Sequence, residues 1–481
     1  VISEEMSMTR IPALSCAFPN VLRAIFISLA LFQCGVTTVR AEDEAAVAEI
    51  PEPPPMIVES RALEFARADM AKLEARVVVL REAAKQADEK VAAVDKNNAE
   101  AVKAANEAKA AADKDLVATD GLLMKSAERV GRLGKALPKA DPMALYEFNA
   151  FKHDRPVISV RVDPTGQFLV AGAHDNILQK WDVSLGTKQS LAGHRTWIRG
   201  MNFHADGQLM LSGDYTGKVI WWNPTEAEPK PLREIQAHKG YCRAVAISPD
   251  KSLVATCGND NMVRIWSAAD GQLIKELPGH ERHVYNVMFD PTGKTLISGD
   301  LMGIVKHWEV GTWNLVRDLD CKVLTKFDPT FVADCGGIRG IDFSPDGKTL
   351  AVCGISEVSN AFAGIGKPTV VTFDLATGNR LKVMLPKENF DGTCWGVKFD
   401  PTGEFLVGVG GGGSGGMWFW KPTEEKSFHF VKLPSVGYDL SWHPDGLRLA
   451  VAFYDNQTRI YDFGPKPPDA PKVAPAGKKK K

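Results

Sequence analysis

From Leu63 the apolar residues recur at alternating steps of three and four: Leu63, Ala66, Met70, Leu73, Val77, Leu80, Ala84, Ala87, Val91 and Val94. That spacing predicts a helix with a heptad seam. The next seam position is Asn98, after which Ala101, Ala105, Ala108 and Ala112 keep the register in an alanine-rich run, alanine being the best helix former. The reading is a coiled coil over 57–137, with self-association through 63–112. A parallel in-register pair would set Asp69 against Glu74 and Arg76 against Arg81, both repulsive, so an antiparallel pair or a hairpin bent at Asn97-Asn98 stays open. Asp120-Gly121 reads as a helix stop, followed by a short helix from 122 to about 137.

From about residue 143 the pattern changes to short β-rich runs between turn residues. A four-residue string recurs seven times: DPTG at 163, HADG at 204, SPDK at 248, DPTG at 290, SPDG at 344, DPTG at 400 and HPDG at 443. A side-chain acceptor first, Pro second and Gly fourth are what a type I turn followed by a positive φ demands. Apolar strand ends precede each copy, and a third strand closing on an aromatic follows: Trp181, Trp222, Trp266, Trp308, Phe373, Trp420 and Tyr461. The copies stand 41, 44, 42, 54, 56 and 43 residues apart, and the shorter spacings match one four-stranded propeller blade. A second FDPT, at 327–330, lacks the Gly and breaks the period, so it is not counted as a blade.

With Gly193-His194, Ala237-His238 and Gly279-His280 before first strands, and Trp181-Asp182, Trp308-Glu309, Phe373-Asp374 and Tyr461-Asp462 closing third strands, the chain resembles the WD-repeat β-propeller family. The resemblance spans about 144–463 and implies an all-β seven-bladed propeller, here preceded by the long helical coiled-coil segment. It also implies a hydrogen-bonded His, Ser/Thr, Asp and Trp set in each blade. Only the third repeat carries all four in the sequence reading, as His238, Thr256, Asp260 and Trp266; the first has Ala171 at the hydroxyl position. Residues 145–150 resemble the outer strand that the seventh repeat lacks, so they are expected to clasp the last blade and remove its open edge.

The ends add a context. Arg10 and Arg23 precede the apolar run 24–32, and Val39-Arg40-Ala41 offers a cleavage site, so 1–41 reads as a signal peptide cleaved near Ala41. The run is short of the ~20 residues of a membrane span, so no stable span is expected after cleavage. Export to a periplasmic or extracellular space follows. Cys34 resembles a lipoprotein site only weakly, since the large Gln33 precedes it. Residues 42–56 are a Pro-rich linker and 464–481 a disordered basic tail ending in four lysines. The propeller proper is set at 143–463.

Composition narrows the function. The 481 residues carry a net charge of −1 with 44% hydrophobic residues, which gives no sign of a nucleic-acid partner. Six cysteines outlast signal cleavage and none lies in a Cys-x-x-Cys motif. Cys321 and Cys335 share one irregular insertion and are the candidate disulfide. No His or Cys cluster has metal spacing, and no metal or cofactor is expected. The string 408–416, GVGGGGSGG, matches two glycine motifs, yet a strand rather than a helix follows it, which predicts a flexible hairpin tip.

Five residues before each turn, at the start of each first strand, stand Ile158, Arg199, Arg243, Tyr285, Arg339, Trp395 and Tyr438. Two residues earlier stand Pro156, Trp197, Tyr241, His283, Gly337, Thr393 and Val436, on the same side by strand period. In the resembling family these strand starts ring one channel mouth, a usual partner-binding face. Arg, Trp and Tyr dominate interface hot spots. Trp197, Arg199, Tyr241, Arg243, His283, Tyr285, Arg339, Trp395 and Tyr438 are therefore the expected partner-binding set, for an acidic or aromatic protein segment. The insertions 318–337 and 355–367 are further recognition candidates. The chain reads as a non-enzymatic, exported interaction scaffold. The alternative is an envelope enzyme or carbohydrate-binding propeller with its site at the channel mouth.

Overall fold

A computed structural model describes residues 56–135, 139–329, 332–360 and 365–468, with side chains from 61 onward. The expected signal peptide, the linker up to 55 and the last thirteen residues of the tail lie outside the described residues.

Seven four-stranded antiparallel sheets follow one another as blades, and an eighth, two-stranded sheet stands apart. Blades 1 to 6 occupy 157–192, 198–236, 242–277, 284–320, 340–384 and 393–433. Blade 7 takes three strands from 437–462 and its outer strand, β1 (Tyr146–Lys152), from the start of the propeller. In that clasp Tyr146 pairs with Asp462 and Lys152 with Gln457. Residues 145–150 therefore close the ring as expected, pairing the outer side of the last blade's third strand, Gln457–Asp462.

The recurring string is the turn between first and second strands. Gly166, Gly207, Gly293, Gly347, Gly403 and Gly446 all take φ between 69° and 77°, and Lys251 takes 64° without the freedom of glycine. At the fourth copy the Gly293 N–H donates to Asp290 O at 2.9 Å, while Asp290 Oδ1 accepts from Thr295 N at 2.7 Å. The first residue thus supplies the acceptors that stop the strand from fraying.

The His, Ser/Thr, Asp and Trp set is more widespread than expected. In blade 3 His238 bonds Asp260 and Thr256, both at 2.8 Å, and Trp266 Nε1 donates to Thr256 Oγ1 at 2.9 Å. Blade 2 repeats this with His194, Ser212, Asp214 and Trp222, and blade 4 with His280, Ser298, Asp300 and Trp308. In those two blades the Asp lies two residues after the hydroxyl instead of four, and the motif spacing taken from blade 3 passes over it. Ala171 has the consequence foreseen for blade 1: the buried Trp181 Nε1 has no hydrogen-bond partner.

The helical segment departs from the long coiled coil and takes the alternative left open, a hairpin bent near Asn97-Asn98. α1 (Met56–Ala93) and α2 (Ala99–Leu133) form an antiparallel hairpin, not a long coiled coil running through 112. The turn lies at 94–98, where exposed Asn98 caps α2 by accepting from Ala101 N at 3.1 Å, instead of sitting buried in a seam. The heptad was real: Ala66, Leu73, Val77, Leu80, Ala84 and Ala87 are all buried. Their cover is α2 of the same chain, with Lys109 bonded to Asp88 and Arg81 to Asp120 across the pair. Gly121 does not stop the helix, which runs on to Leu133.

The hairpin's base docks on the turn side of blades 7 and 1. Phe65 meets His443 edge-on at 5.3 Å, and Asp69 bonds Arg448 at 3.0 Å and Ser184 at 2.6 Å. Lys72 pairs with Asp182. Arg129, 3% exposed, lies between Asp462 at 2.8 Å and Asp445 at 3.1 Å. Burial opposes ionisation of Asp445, but Arg448, His443 and Arg129 outweigh it and hold its carboxyl well below the usual range.

Cys321 and Cys335 are free thiols rather than a disulfide. Cys321 is buried in the core of blades 4 and 5, while Cys335 sits on the two-stranded hairpin beside Lys326. The glycine-rich string is also different from a flexible tip. It forms strands Leu406–Gly411 and Gly415–Trp420, leaving 412–414 as the loop. A Cβ on Gly410 would lie 2.0 Å from Thr393 O, and one on Gly415 would lie 1.7 Å from Ser435 O. These glycines let backbones approach one another.

Candidate functional site: a belt at the channel mouth

The first strands line the channel, and in every blade but the fifth the first strand carries a local irregularity at its start. The pairing register slips between Val157 and Ser159, Ile198 and Gly200, Cys242 and Ala244, Val284 and Asn286, Cys394 and Gly396, and Gly437 and Asp439. The extra residues are Ile158, Arg199, Arg243, Tyr285, Trp395 and Tyr438. A β-bulge re-aims the side chain of its unpaired residue. The positions found by counting back from the turns are therefore bulge positions, and Arg339 lies just ahead of the corresponding strand Gly340–Phe343.

Their side chains close into a circuit. Arg243 sits 4.9 Å from the Tyr241 ring centre and 4.6 Å from that of Tyr285, and Arg339 bridges Tyr285 at 4.4 Å to Trp395 at 5.1 Å. Trp395 meets Tyr438 at 5.2 Å, Tyr438 meets Tyr454 at 6.0 Å, and Tyr454 meets His174 at 6.2 Å. His174 stacks on Trp197 at 3.9 Å, Trp197 contacts Tyr215 at 5.7 Å, and Arg243 returns over Tyr215 at 5.2 Å. Tyr215 also stacks on Tyr241 at 4.0 Å. Cation–π and ring contacts of this kind contribute about 0.5–2 kcal/mol each.

Eight of the nine expected residues belong to this belt or its arginine floor. Arg199 lies lower and donates to Ile158 O at 2.6 Å. His283 is half-buried with a buried, unpartnered Nδ1. The positions two residues earlier join only in part, because the bulge interrupts the strand period: Trp197 and Tyr241 reach the rim, while Thr393 is buried. Sequence reasoning missed His174, Tyr215 and Tyr454. All three lie eleven residues after the start of a turn string, just past the end of a second strand, so the same ruler counted forward finds them.

The belt presents aromatic faces outward, with Trp197 42%, Tyr241 39% and Tyr454 51% exposed. Below it the channel narrows to a cavity of about 90 Å³, well under the ~300 Å³ of a typical small-molecule site. The cavity walls carry Arg161, Arg199, Arg243, Arg339 and Lys398 against one carboxylate, Asp439. Asp439 is held by Arg161 at 2.6 Å. Burial opposes ionisation of the Tyr285 phenol, yet Arg339, Arg243 and Arg199 together keep its pKa below the ordinary tyrosine value.

The two insertions meet beside this mouth. The small hairpin Thr325–Asp328 and Ala333–Gly336 packs on the long strand Thr349–Asn360 of blade 5, and Lys326 Nζ donates to Val358 O at 2.7 Å. Phe327 and Asp328, which open the second FDPT, belong to that hairpin and not to a blade. Thr325 Oγ1 donates to Leu301 O at 3.1 Å, fixing the hairpin to the Arg339 side of the belt. Among the described residues no group of three His, Cys, Asp or Glu side chains could hold a metal ion, and no helix is long and apolar enough to cross a membrane.

The family described as WD domain, G-beta repeat matches 146–182, 186–223, 229–267, 271–309, 326–357 and 430–462. The unmatched stretch holds most of blades 5 and 6, where the insertion and the glycine-rich strands depart from the repeat. Protein hir1 of Schizosaccharomyces pombe is 21% identical over 66% of this chain and 37% of its own length. Nuclear distribution protein nudF of Emericella nidulans is 28% identical over 33% of this chain and 40% of its own. Transcription initiation factor TFIID subunit 5 of Caenorhabditis elegans is 24% identical over 50% of this chain and 35% of its own. The chain thus spans well under half the length of each of these relatives.

Proposed function

We propose that this WD-repeat β-propeller is a protein-interaction scaffold that docks an acidic protein segment on its channel mouth. The observation that carries the reading is the closed aromatic and guanidinium belt, in which Arg199, Arg243 and Arg339 make no ion pair among the described residues. Exposed Trp and Tyr faces with unneutralised arginines are the chemistry of interface hot spots. That a relative is named as a subunit of a larger factor agrees with a scaffold role. The alternative of an envelope enzyme or carbohydrate-binding propeller would be favoured by paired carboxylates or a metal constellation at the mouth, whereas the carboxylate on the cavity wall, Asp439, is taken up by Arg161.

Export belongs to the same proposal and rests on residues 1–41 of the sequence, whose apolar run and cleavage string have the signal-peptide pattern. Fractionation with N-terminal sequencing tests it: a mature chain starting at Glu42 supports export, and an intact N-terminus in the cytoplasm overturns it. The hairpin is read as a brace and tether for blades 7 and 1. Light scattering on the full chain and on one lacking 57–137 tests the assembly role of 63–112; an unchanged subunit number excludes it.

For the mouth, Arg199→Ala combined with Trp395→Ala should strip away partners that the wild-type chain retains in cross-linking and capture from its source cells. Equal recovery by both proteins would refute docking at the belt.

A further inference from the structure

The floor of the belt holds more positive charge than the fold itself uses. Of the five cationic side chains on the cavity wall, Arg161 is paired with Asp439 and Lys398 with Asp342, each at 2.6 Å. The other three have only neutral partners. Arg199 donates to Ile158 O at 2.6 Å, and Arg243 donates to Asn259 Oδ1 at 2.8 Å and the Tyr215 hydroxyl at 3.3 Å. Arg339 Nε is buried and has no hydrogen-bond partner. Burial first lowers the pKa of Arg339; the Tyr285 hydroxyl beside it opposes that, and the charges of Arg243 and Arg199 add to the lowering. Like charges gathered in a partly desolvated site without a counter-ion raise the free energy of the empty state.

We infer that this cavity is an oxyanion site, formed by Arg199, Arg243 and Arg339 beneath the aromatic belt, that receives one carboxylate of the docked segment. The inference rests on the docking reading and names what the segment inserts. A volume of about 90 Å³ admits a carboxylate group with little besides. The guanidinium fork pairs with the two oxygens of a carboxylate in parallel N–H···O bonds, and Arg339 has an N–H to offer without breaking an existing bond. The aromatic rim above it would cover the chain on either side of the inserted residue and exclude water, which strengthens the ion pair.

The test is thermal unfolding of the full chain in an anion-poor buffer, titrated with sodium acetate, sodium phosphate or sodium chloride at matched ionic strength. Acetate several-fold above its dissociation constant should raise the wild-type Tm by about 2–4 °C relative to chloride. Arg339→Met, which keeps length but removes charge, should raise the Tm without acetate and abolish the acetate response; Arg243→Met is the second variant should the first not fold. No acetate-specific rise, or a lower Tm in both folded variants, would show that the arginines only fill the funnel. A rise with phosphate but not acetate would replace the carboxylate by a phosphoryl group and overturn the assignment.

The two proposals fail separately. An acetate response in a protein whose partners survive the Arg199→Ala, Trp395→Ala change would leave the anion site and remove docking. Partners lost in that double variant but kept by Arg339→Met would leave docking and remove the carboxylate insertion.

Discussion

At the scale of single residues, blades 2 to 4 define what blade 1 lacks. Their Trp Nε1 groups donate to Ser212, Thr256 and Ser298 at 2.7–2.9 Å, and Trp181 has only Ala171 opposite it. A net hydrogen bond contributes about 1 kcal/mol. Ala171→Ser is expected to stabilise the protein by that amount, and Thr256→Val to destabilise it by about 1–3 kcal/mol, both read from denaturant midpoints at unchanged slope.

A titration follows from His153. Burial and the nearby Lys188 push its pKa down to about 4, with Asp154 opposing, and its Nδ1 has no partner. The folded state therefore holds this ring neutral while the unfolded chain protonates it below its usual 6.5. Between pH 6.5 and 4 the unfolded state binds the extra proton, so stability falls as pH falls, by on the order of 3 kcal/mol in all. Unfolding curves across that window should show the loss, and His153→Gln should flatten it.

Among elements, the helical hairpin shows where one sequence carries two messages. The heptad identified the buried stripe of α1 at Ala66, Leu73, Val77, Leu80, Ala84 and Ala87, because burial and 3.5-residue spacing leave the same mark whichever helix supplies the cover. It could not say whether that helix belongs to a second chain or to residues 99–133. The answer lay in the cap at Asn98 and in charge pairs such as Arg81 with Asp120, which only a return turn brings together. Arg129 is the base of the brace. Removing it leaves Asp445 and Asp462 buried without it, so Arg129→Met is expected to cost about 3–5 kcal/mol. It should also free α2 for early cleavage in limited proteolysis, and a cleavage pattern like that of wild type would show that the apolar contacts alone hold the hairpin.

The strand elements were legible for a different reason. Type I turns with a positive φ at the fourth residue restrict the sequence so tightly that the repeat could be counted from them, and the blade closures followed. The bulges were not legible: nothing in Arg199, Tyr285 or Trp395 marks an unpaired residue, since a bulge is a relation between two strands. The period-two rule failed at that point, and His174, Tyr215 and Tyr454 were missed because the belt draws on second-strand ends as well as first-strand starts.

For the whole molecule, the two faces of the ring divide the work. First strands run from the bulges to the turns, so the belt opens at one end and the hairpin braces the other, leaving the mouth clear of it. On the proposed docking of an acidic segment, partner capture at the mouth should weaken as salt rises, with the faster change in association rate. Capture insensitive to salt between low and physiological ionic strength would mean that the rim aromatics act without the arginines.

The clasp that closes blade 7 has a consequence in time. Tyr146 and its partner Asp462 are 316 residues apart, and no part of the ring can shut before the last strand has emerged from synthesis. Pairings of such separation are slow because the loop entropy is lost before the contact forms. Until then blade 7 has a bare edge that another chain could pair with. Molecules whose first and last propeller strands have not yet met are thus the ones most prone to aggregate, and a shortage of folding helpers would be felt at that step first.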